Sequence, residues 1–173
     1  MSRMRTRSWR LSLAVAAPCL AAVSLMSQTP LRQGSVAPAF TLETLAGSPA
    51  SLSDYSGHPV LINFWASWCK PCSGEMPAIV AAYQAHKETG FEVLAINLTD
   101  QERMKDVRKF AAEFRLPFPV LLDGKGRVRK LYAMVGVPTS VFIGSDGVVR
   151  LVNPGPITSE TLERGLAEIL PAR

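Results

Sequence analysis

Cysteine and histidine are both scarce in this sequence of 173 residues, which holds three cysteines and two histidines. A structural zinc site needs four ligands, drawn mainly from these two residue types. The two histidines stand apart, His58 just before a predicted strand and His86 near a predicted helix end, where surface or capping roles are common. The sequence therefore predicts no metal site and no other cofactor.

An excess of basic charge is lacking from the body of the chain, although the formal net charge is +5. Removing the basic residues that precede Leu11 leaves 15 Lys and Arg against 14 Asp and Glu. The residues removed are Arg3, Arg5, Arg7 and Arg10. Nucleic-acid binding requires basic residues that cluster on the folded domain. We therefore expect no nucleic-acid partner.

A hydrophobic run of full membrane-spanning length is also missing. Residues 11–26 form an uncharged apolar run of 16 residues behind the arginines, whereas a transmembrane helix usually needs ~20. A basic segment followed by a run of this length is typical of an export signal. Residues 1–26 are therefore predicted to be a signal peptide or an N-terminal membrane anchor. The arginine block disfavours the alternative, a buried first helix of the fold.

The rest of the chain divides into a short linker and one domain. Residues 27–38 are polar and contain proline and glycine, which predicts a linker, and residues 39–173 are long enough for one domain. Apolar runs at 60–66, 91–97 and 118–123 predict buried strands, and Asp146-Gly147 predicts a hairpin turn. Helical spacing recurs at 76–83, 107–114 and 162–170. This alternation predicts an α/β fold with a mixed sheet and helices on both faces.

Two cysteines, Cys69 and Cys72, stand two residues apart in the stretch FWASWCKPCSGEMP. Such a pair can hold a metal, clamp a loop or exchange electrons. A c-type haem site would place histidine directly after the second cysteine, where Ser73 stands. A peroxidatic site of the peroxiredoxin type would place threonine or serine three residues before its cysteine, where Ala66 stands. Both of these sites are therefore disfavoured.

The position of the pair favours redox chemistry over a static disulfide. A bridge across two residues closes a very small loop and gains little entropy from doing so. A helix is predicted to begin at about Cys72, which places Cys69 at a helix N-terminus, where the dipole and free N–H groups stabilise a thiolate. Lys70 adds a positive charge, and Pro71 is tolerated in a first helical turn. We interpret the pair as redox-active.

Several motifs in order carry a family resemblance. FWASWCKPC, at residues 64–72, resembles the thioredoxin active site, and GVPT, at 136–139, resembles the loop where that fold keeps a cis-proline facing the disulfide. The wider pattern over residues 34–170 is similar to the TlpA/ResA/CcmG-like branch of the AhpC/TSA–redoxin type. The resemblance implies a thioredoxin fold, a central mixed β-sheet flanked by helices, with an inserted helix and strand at 102–123.

The resemblance also implies a role for each reactive residue. Cys69, expected to be exposed, would attack a client disulfide, and the more buried Cys72 would resolve the mixed disulfide. Glu75 matches the buried glutamate of the family and would take or deliver the proton of Cys72. The alternative for Glu75 is a solvent-facing helix residue. Asn63 stands where thioredoxin has a buried aspartate, which leaves proton transfer to Glu75.

Substrate contacts are expected on both sides of the cysteine pair. Trp68 precedes it directly, and the cis-proline loop would contribute Val137, Pro138 and Thr139. The alternative for Pro138 is an ordinary proline at the start of a strand. For Trp68 the alternative is packing at the rim of the core.

These expectations combine into one functional hypothesis. The protein is expected to be an extracytoplasmic thiol–disulfide oxidoreductase that reduces disulfides of envelope proteins, for example in cytochrome c or copper-site maturation. Its partners would be those clients, a membrane thiol reductase as electron donor, and the membrane itself through the N-terminal segment. Two alternatives stay open: a copper-binding protein, for which no methionine or histidine offers an obvious third ligand beside Cys69 and Cys72, and a thiol peroxidase.

Overall fold

A seven-stranded sheet forms the centre of the computed structural model, which describes residues 31–171. The strands are β1 (Thr41–Thr44), β2 (Pro49–Ser51), β3 (Val60–Trp65), β4 (Glu92–Asn97), β5 (Val120–Leu122), β6 (Thr139–Ile143) and β7 (Val149–Pro154). Their order across the sheet is β2-β1-β5-β4-β3-β6-β7. Strands β3, β4 and β5 are parallel to one another, and the remaining pairs are antiparallel. The mixed sheet predicted from the sequence is confirmed.

Within residues 31–171, four α-helices cover the two faces of this sheet. They are α1 (Lys70–His86), α2 (Met104–Glu113), α3 (Arg127–Leu131) and α4 (Ser159–Ile169). Side chains of α1, α2 and α4 share one core cluster with Leu61 and Trp65 of β3, while Val128 of α3 belongs to a second cluster with Ile62 and Phe64. All six residues of β3 are buried, because successive side chains point to opposite faces and both faces are covered.

The insertion expected at residues 102–123 is present as α2 and β5. Strand β5 lies between β4 and β1, and α2 packs near the end of β3, where the rings of Trp65 and Phe110 stack with centroids 4.3 Å apart. The hairpin of β1 and β2 was not predicted from the sequence. Its strands have four and three residues and carry little apolar alternation, so they depend on pairing with each other and with β5.

The helix boundaries follow from local sequence. Helix α1 is followed by a 3₁₀ turn (Lys87–Thr89), and Gly90 ends it with a φ of 83°, a left-handed conformation that glycine adopts readily. Thr158 caps α4 by accepting a hydrogen bond from the backbone N–H of Thr161 at 3.1 Å.

Part of the segment predicted as a linker is hydrogen-bonded to the sheet. The N–H of Gly34 donates to the carbonyl oxygen of Val149 at 2.8 Å, and the N–H of Val149 donates to Ser35 at 2.9 Å. Val36 and Val148 form an antiparallel bridge. The predicted signal or anchor, residues 1–26, lies outside the described residues. Between residues 31 and 171, none of the helices combines the length and the apolar composition needed to span a membrane.

Candidate functional site

The cysteine pair sits where β3 gives way to α1. Cys69 is the N-cap residue of α1, so the expected helix N-terminus is confirmed, although the helix starts at Lys70, before Cys72. The two cysteines are joined by a disulfide, with their Cα atoms 5.3 Å apart. The Sγ atom of Cys69 accepts a hydrogen bond from the backbone N–H of Cys72 at 3.2 Å. Pro71 lies in the first turn, where its missing N–H removes no helical hydrogen bond.

Exposure differs sharply around the disulfide. Cys69 is 4% exposed and Cys72 is fully buried, so the expectation of an exposed Cys69 is wrong in degree, although its rank above Cys72 is right. The reason is packing: both sulfurs belong to the core cluster beneath the start of α1. Trp68 is 56% exposed, in contrast to the fully buried Trp65. The accessible apolar surface beside the disulfide therefore comes from Trp68.

Glu75 is a buried carboxylate one turn beyond Cys72 on the same side of α1. It is 4% exposed, so the alternative of a solvent-facing residue is wrong. Its Oε1 accepts a hydrogen bond from Nδ2 of Asn63 at 2.8 Å, and its Oε2 accepts one from the backbone N–H of Ile157 at 2.6 Å. Burial raises the pKa of Glu75, and the hydrogen bonds from Ile157 and Asn63 oppose that rise without cancelling it.

Two groups of the hydrogen-bond network around this carboxylate were missed at the level of sequence. Ser140 pairs directly with Asn63 across β6 and β3, and its Oγ accepts a second hydrogen bond from Asn63 Nδ2 at 3.0 Å. Both Asn63 and Ser140 are fully buried. A serine inside the buried run TSVFI is the signal that could have identified Ser140. The backbone N–H of Ile157 has no sequence signal, because it reaches Glu75 only through the tertiary fold.

The GVPT loop lies beside the end of β3. The Val137–Pro138 peptide bond is cis, and the pairing of Phe64 with Thr139 places Pro138 next to the point where β3 leads towards Cys69. Pro138 and Thr139 are buried, and Val137 is half-buried. The hydroxyl of Thr139 donates to the carbonyl oxygen of Gly136 at 2.7 Å. Of these three residues, Val137 is the one whose side chain is partly exposed.

Glu102, which the sequence did not identify as a site residue, holds the loop before the disulfide. The carboxylate of Glu102 accepts hydrogen bonds from the backbone N–H of Ser67, at 3.0 and 3.1 Å to its two oxygens, and from the Ser67 hydroxyl. Asn97 Nδ2 donates to the same carboxylate at 2.7 Å. A groove of about 500 Å³ borders this loop and is lined by Trp68, Glu102 and residues of α2, including Phe110. The inserted helix thus shapes the surface beside the disulfide.

The copper hypothesis gains no support from the part of the chain that the structure describes. No group of three or more His, Cys, Asp or Glu side chains within residues 31–171 could hold a metal ion. The disulfide of Cys69 and Cys72 instead lies between a helix N-terminus and a buried carboxylate, an arrangement suited to disulfide exchange coupled to proton transfer.

Comparison with known proteins gives matches along most of the chain. The sequence model of the AhpC/TSA family matches residues 33–152. Thiol-disulfide oxidoreductase ResA of Geobacillus kaustophilus is 40% identical over 144 residues, which are 83% of this chain and 82% of that relative.

Solved structures agree with these sequence matches. A Chlorobium tepidum protein regarded as a thiol:disulfide interchange protein, DsbE, is 36% identical with a TM-score of 0.73, and the match covers 79% of this chain and 96% of that one. The thioredoxin domain of a thiol-disulfide oxidoreductase from Bacteroides vulgatus is 27% identical, also with a TM-score of 0.73, over 82% of this chain and 99% of that one. The predicted thioredoxin fold is thereby confirmed.

Proposed function

This chain belongs to the AhpC/TSA family and is a thioredoxin-fold protein-disulfide oxidoreductase, and from that premise we propose that it reduces disulfides of envelope proteins outside the cytoplasm. The observation that carries the proposal is the buried Glu75 carboxylate beside a disulfide at a helix N-terminus. The Glu75 carboxylate can accept and return a proton, and the helix N-terminus stabilises a thiolate.

The first step of the proposed reaction is an attack by Cys69. In the reduced protein, the N–H of Cys72 and the dipole of α1 favour the thiolate form of Cys69. Its sulfur attacks one sulfur of the client disulfide. The client S–S bond breaks, a mixed disulfide between Cys69 and the client forms, and the other client sulfur leaves as a thiolate.

The second step releases the client. The Cys72 thiol gives its proton to Glu75, and the Cys72 sulfur attacks the Sγ atom of Cys69. The bond between Cys69 and the client breaks, the internal disulfide forms, and the second client sulfur leaves as a thiolate. The client has then gained two electrons, and the pair of cysteines has lost two. The position of Glu75, three residues after Cys72 on α1 and buried with it, supports this role.

The charges near the pair favour a reductant over an oxidant. A strongly stabilised thiolate makes the disulfide form a stronger oxidant. The helix N-terminus favours the thiolate, whereas a negative charge on Glu75 opposes it. Lys70, the positive side chain beside Cys69, is exposed, so water screens its effect. The balance supports a potential at the reducing end of the range for this fold.

The compartment, clients and donor follow from the N-terminal pattern and the family. Residues 1–26 have the pattern of a signal or anchor, which supports a location outside the cytoplasm, tethered to the inner membrane or free in the periplasm. A reductant in an oxidising compartment must be re-reduced, so a membrane thiol reductase is proposed as its electron donor. Proteins of cytochrome c or copper-site maturation are the proposed clients, docking against Trp68, Val137 and the backbone of Pro138 and Thr139.

Trapping in the native envelope tests this proposal. Cys72→Ala removes the resolving thiol, so clients should remain disulfide-linked to Cys69 and be identified by mass spectrometry after purification. The matched control is the double variant Cys69→Ala, Cys72→Ala, which should capture none of them. In cells that lack the protein, the captured clients should accumulate as disulfides. Their accumulation as free thiols would contradict the reductant assignment.

A further inference from the structure

Asn63 joins three elements at the base of the site. From β3, its Nδ2 donates to Glu75 Oε1 on α1 at 2.8 Å and to Ser140 Oγ on β6 at 3.0 Å. Its Oδ1 is buried and has no hydrogen-bond partner among the residues that the structure describes. A buried oxygen without a donor is unfavourable. The NH₂ group of Asn63 therefore makes two hydrogen bonds, and its amide oxygen makes none with the described residues.

Glu75 turns from an acceptor into a donor when it gains a proton. Its Oε2 accepts from the backbone N–H of Ile157, a group that can only donate. The carbonyl oxygen of a neutral carboxyl group is the better acceptor, so Oε2 keeps the Ile157 N–H and the proton is placed on Oε1. There it faces the NH₂ group of Asn63, which is also a donor. In the orientation described above, the neutral form of Glu75 loses its hydrogen bond to Asn63.

A half-turn of the Asn63 amide removes this conflict. The oxygen and nitrogen of an amide are nearly equal in size, so the rotation exchanges their positions without needing new space. Oδ1 would then accept from the protonated Oε1 of Glu75. It would also accept from the hydroxyl of Ser140, because a hydroxyl can donate as well as accept. The network keeps three hydrogen bonds in either state, counting the one from Ile157, and the turned amide leaves its NH₂ group where Oδ1 had no partner among the described residues.

We propose that Asn63 and Ser140 form a reversible hydrogen-bond pair that holds Glu75 in one position in both of its protonation states, with the Asn63 amide turning over as the proton comes and goes. This inference rests on the proposed function, in which Glu75 exchanges a proton with Cys72. Both are positioning residues, because they act through Glu75. An aspartate at position 63 could not do the same, since its own charge would repel that of Glu75.

The surroundings of Glu75 make its titration easy to isolate. Burial raises the pKa of Glu75, and the hydrogen bonds from Ile157 and Asn63 lower it by a smaller amount. The groups that face it are Asn63 from β3, with Ser140 of β6 behind it, and the Ile157 N–H ahead of α4. Cys72, one turn earlier on α1, does not titrate while it is in the disulfide. In the oxidised protein, a titration seen at this site therefore belongs to Glu75.

The test is a pH titration of the oxidised, ¹⁵N- and ¹³C-labelled full chain by NMR. The side-chain carboxyl carbon of Glu75 reports its protonation, and the NH₂ signals of Asn63 report the amide. We expect the nuclear Overhauser contacts of the Asn63 NH₂ protons with the side chains of Glu75 and Ser140 to weaken as the pH falls, with the same midpoint as the Glu75 carbon, because the turned amide points its NH₂ group away from both. The NH₂ group of Asn153 donates to the carbonyl oxygen of Gly155 at 2.8 Å, a partner that does not titrate, so its signals serve as the internal control.

The variant Glu75→Gln gives a second reading. Its side chain offers an NH₂ donor in place of the protonated oxygen, so the contacts of the Asn63 NH₂ protons should stay at the weak, low-pH level of the wild type at every pH. Contacts that stay unchanged while Glu75 titrates, or that keep the strong, high-pH level in the variant, would overturn the proposal. If the variant does not fold, the wild-type titration alone decides.

A separate assay keeps this inference distinct from the proposed function. Reduction of a model disulfide protein by the reduced chain measures the function without reference to the amide. A pH response of Asn63 without such activity would remove the proposed function and support the pair. Reductase activity without a pH response of Asn63 would support the proposed function and remove the proposed pair of Asn63 and Ser140.

Discussion

At the scale of single residues, the two cysteines differ in exposure and in hydrogen bonding. Cys69 is 4% exposed, and its Sγ atom accepts a hydrogen bond from the backbone N–H of Cys72. The Cys72 side chain is fully buried in an apolar cluster. In the reduced protein we expect Cys69 to be alkylated by iodoacetamide roughly tenfold faster or more, because the helix N-terminus favours its thiolate while Cys72 is buried away from the reagent. Mass spectrometry of a time course, with peptides of each cysteine resolved, measures the two rates. Equal rates, or a faster Cys72, would contradict the assigned roles.

Glu75 should make folding stability depend on pH in a defined direction. Because burial raises its pKa in the folded state above the usual 4.5, the folded state binds its proton more tightly than the unfolded state. Its unfavourable contribution is absent well below pH 4.5 and grows as pH rises through the folded pKa. We therefore expect Glu75→Gln to gain stability relative to the wild type over that rise, by about 1.4 kcal/mol for each pH unit that separates the folded-state pKa from the unfolded-state pKa.

Urea unfolding of the oxidised proteins at a series of pH values checks this expectation. The matched control is Glu160→Gln, an exposed glutamate in the first turn of α4. Glu160→Gln measures the effect of removing an exposed charge, so only the pH dependence of Glu75→Gln in excess of it is assigned to burial. No excess over Glu160→Gln would mean that burial does not disfavour the charged form of Glu75.

Among the secondary-structure elements, the contact of α4 with β6 offers a paired test. A Cβ atom at Gly165 of α4 would overlap the ring of Phe142 on β6, whereas a Cβ at Gly74 of α1 would meet open space. Gly165→Ala should therefore destabilise the fold by about 1–3 kcal/mol, as overpacking does. Gly74→Ala should be neutral or stabilise it by up to ~1 kcal/mol, because alanine favours helix. Denaturant unfolding of both variants measures the difference, and equal effects would contradict this packing.

The elements that the sequence predicts well are those whose pattern is strong over a short range. Strand β3 was predicted because both of its faces are buried and its residues form a continuous apolar run, and α4 because its apolar residues recur at helical spacing. Within the site, the cysteine spacing predicted the chemistry, and the family resemblance suggested Glu75. The Ile157 N–H was not predictable, because it meets Glu75 only after α1 and the segment before α4 have packed together. A serine in a buried run marks Ser140, but its contact with Asn63 follows only from the pairing of β6 with β3.

At the scale of the whole molecule, the redox potential decides the direction of electron flow. We expect a value nearer that of thioredoxin, about −270 mV, than that of DsbA, about −120 mV, because the charge of Glu75 opposes the thiolate. Equilibration of the purified protein with glutathione buffers measures it. Glu75→Gln should move the potential in the oxidising direction, and Glu160→Gln should not. A wild-type potential close to that of DsbA would make the protein an oxidase instead.

The pairing of residues 34–37 with the start of β7 also orients the molecule. Val36 meets Val148 at the end of β7 where Val149 pairs with Ile143, whereas the opposite end of that strand, Pro154, pairs with Thr139 next to the cis-proline. Residues 34–37, the N-terminal arm, thus join the sheet at the end of its strands that is remote from the disulfide; the opposite end is the redox pole. If residues 1–26 fasten the protein to a bilayer, the redox pole faces away from the attachment point. Soluble clients could then approach it freely, while a membrane-embedded donor would need a domain that projects above the lipid surface to reach it.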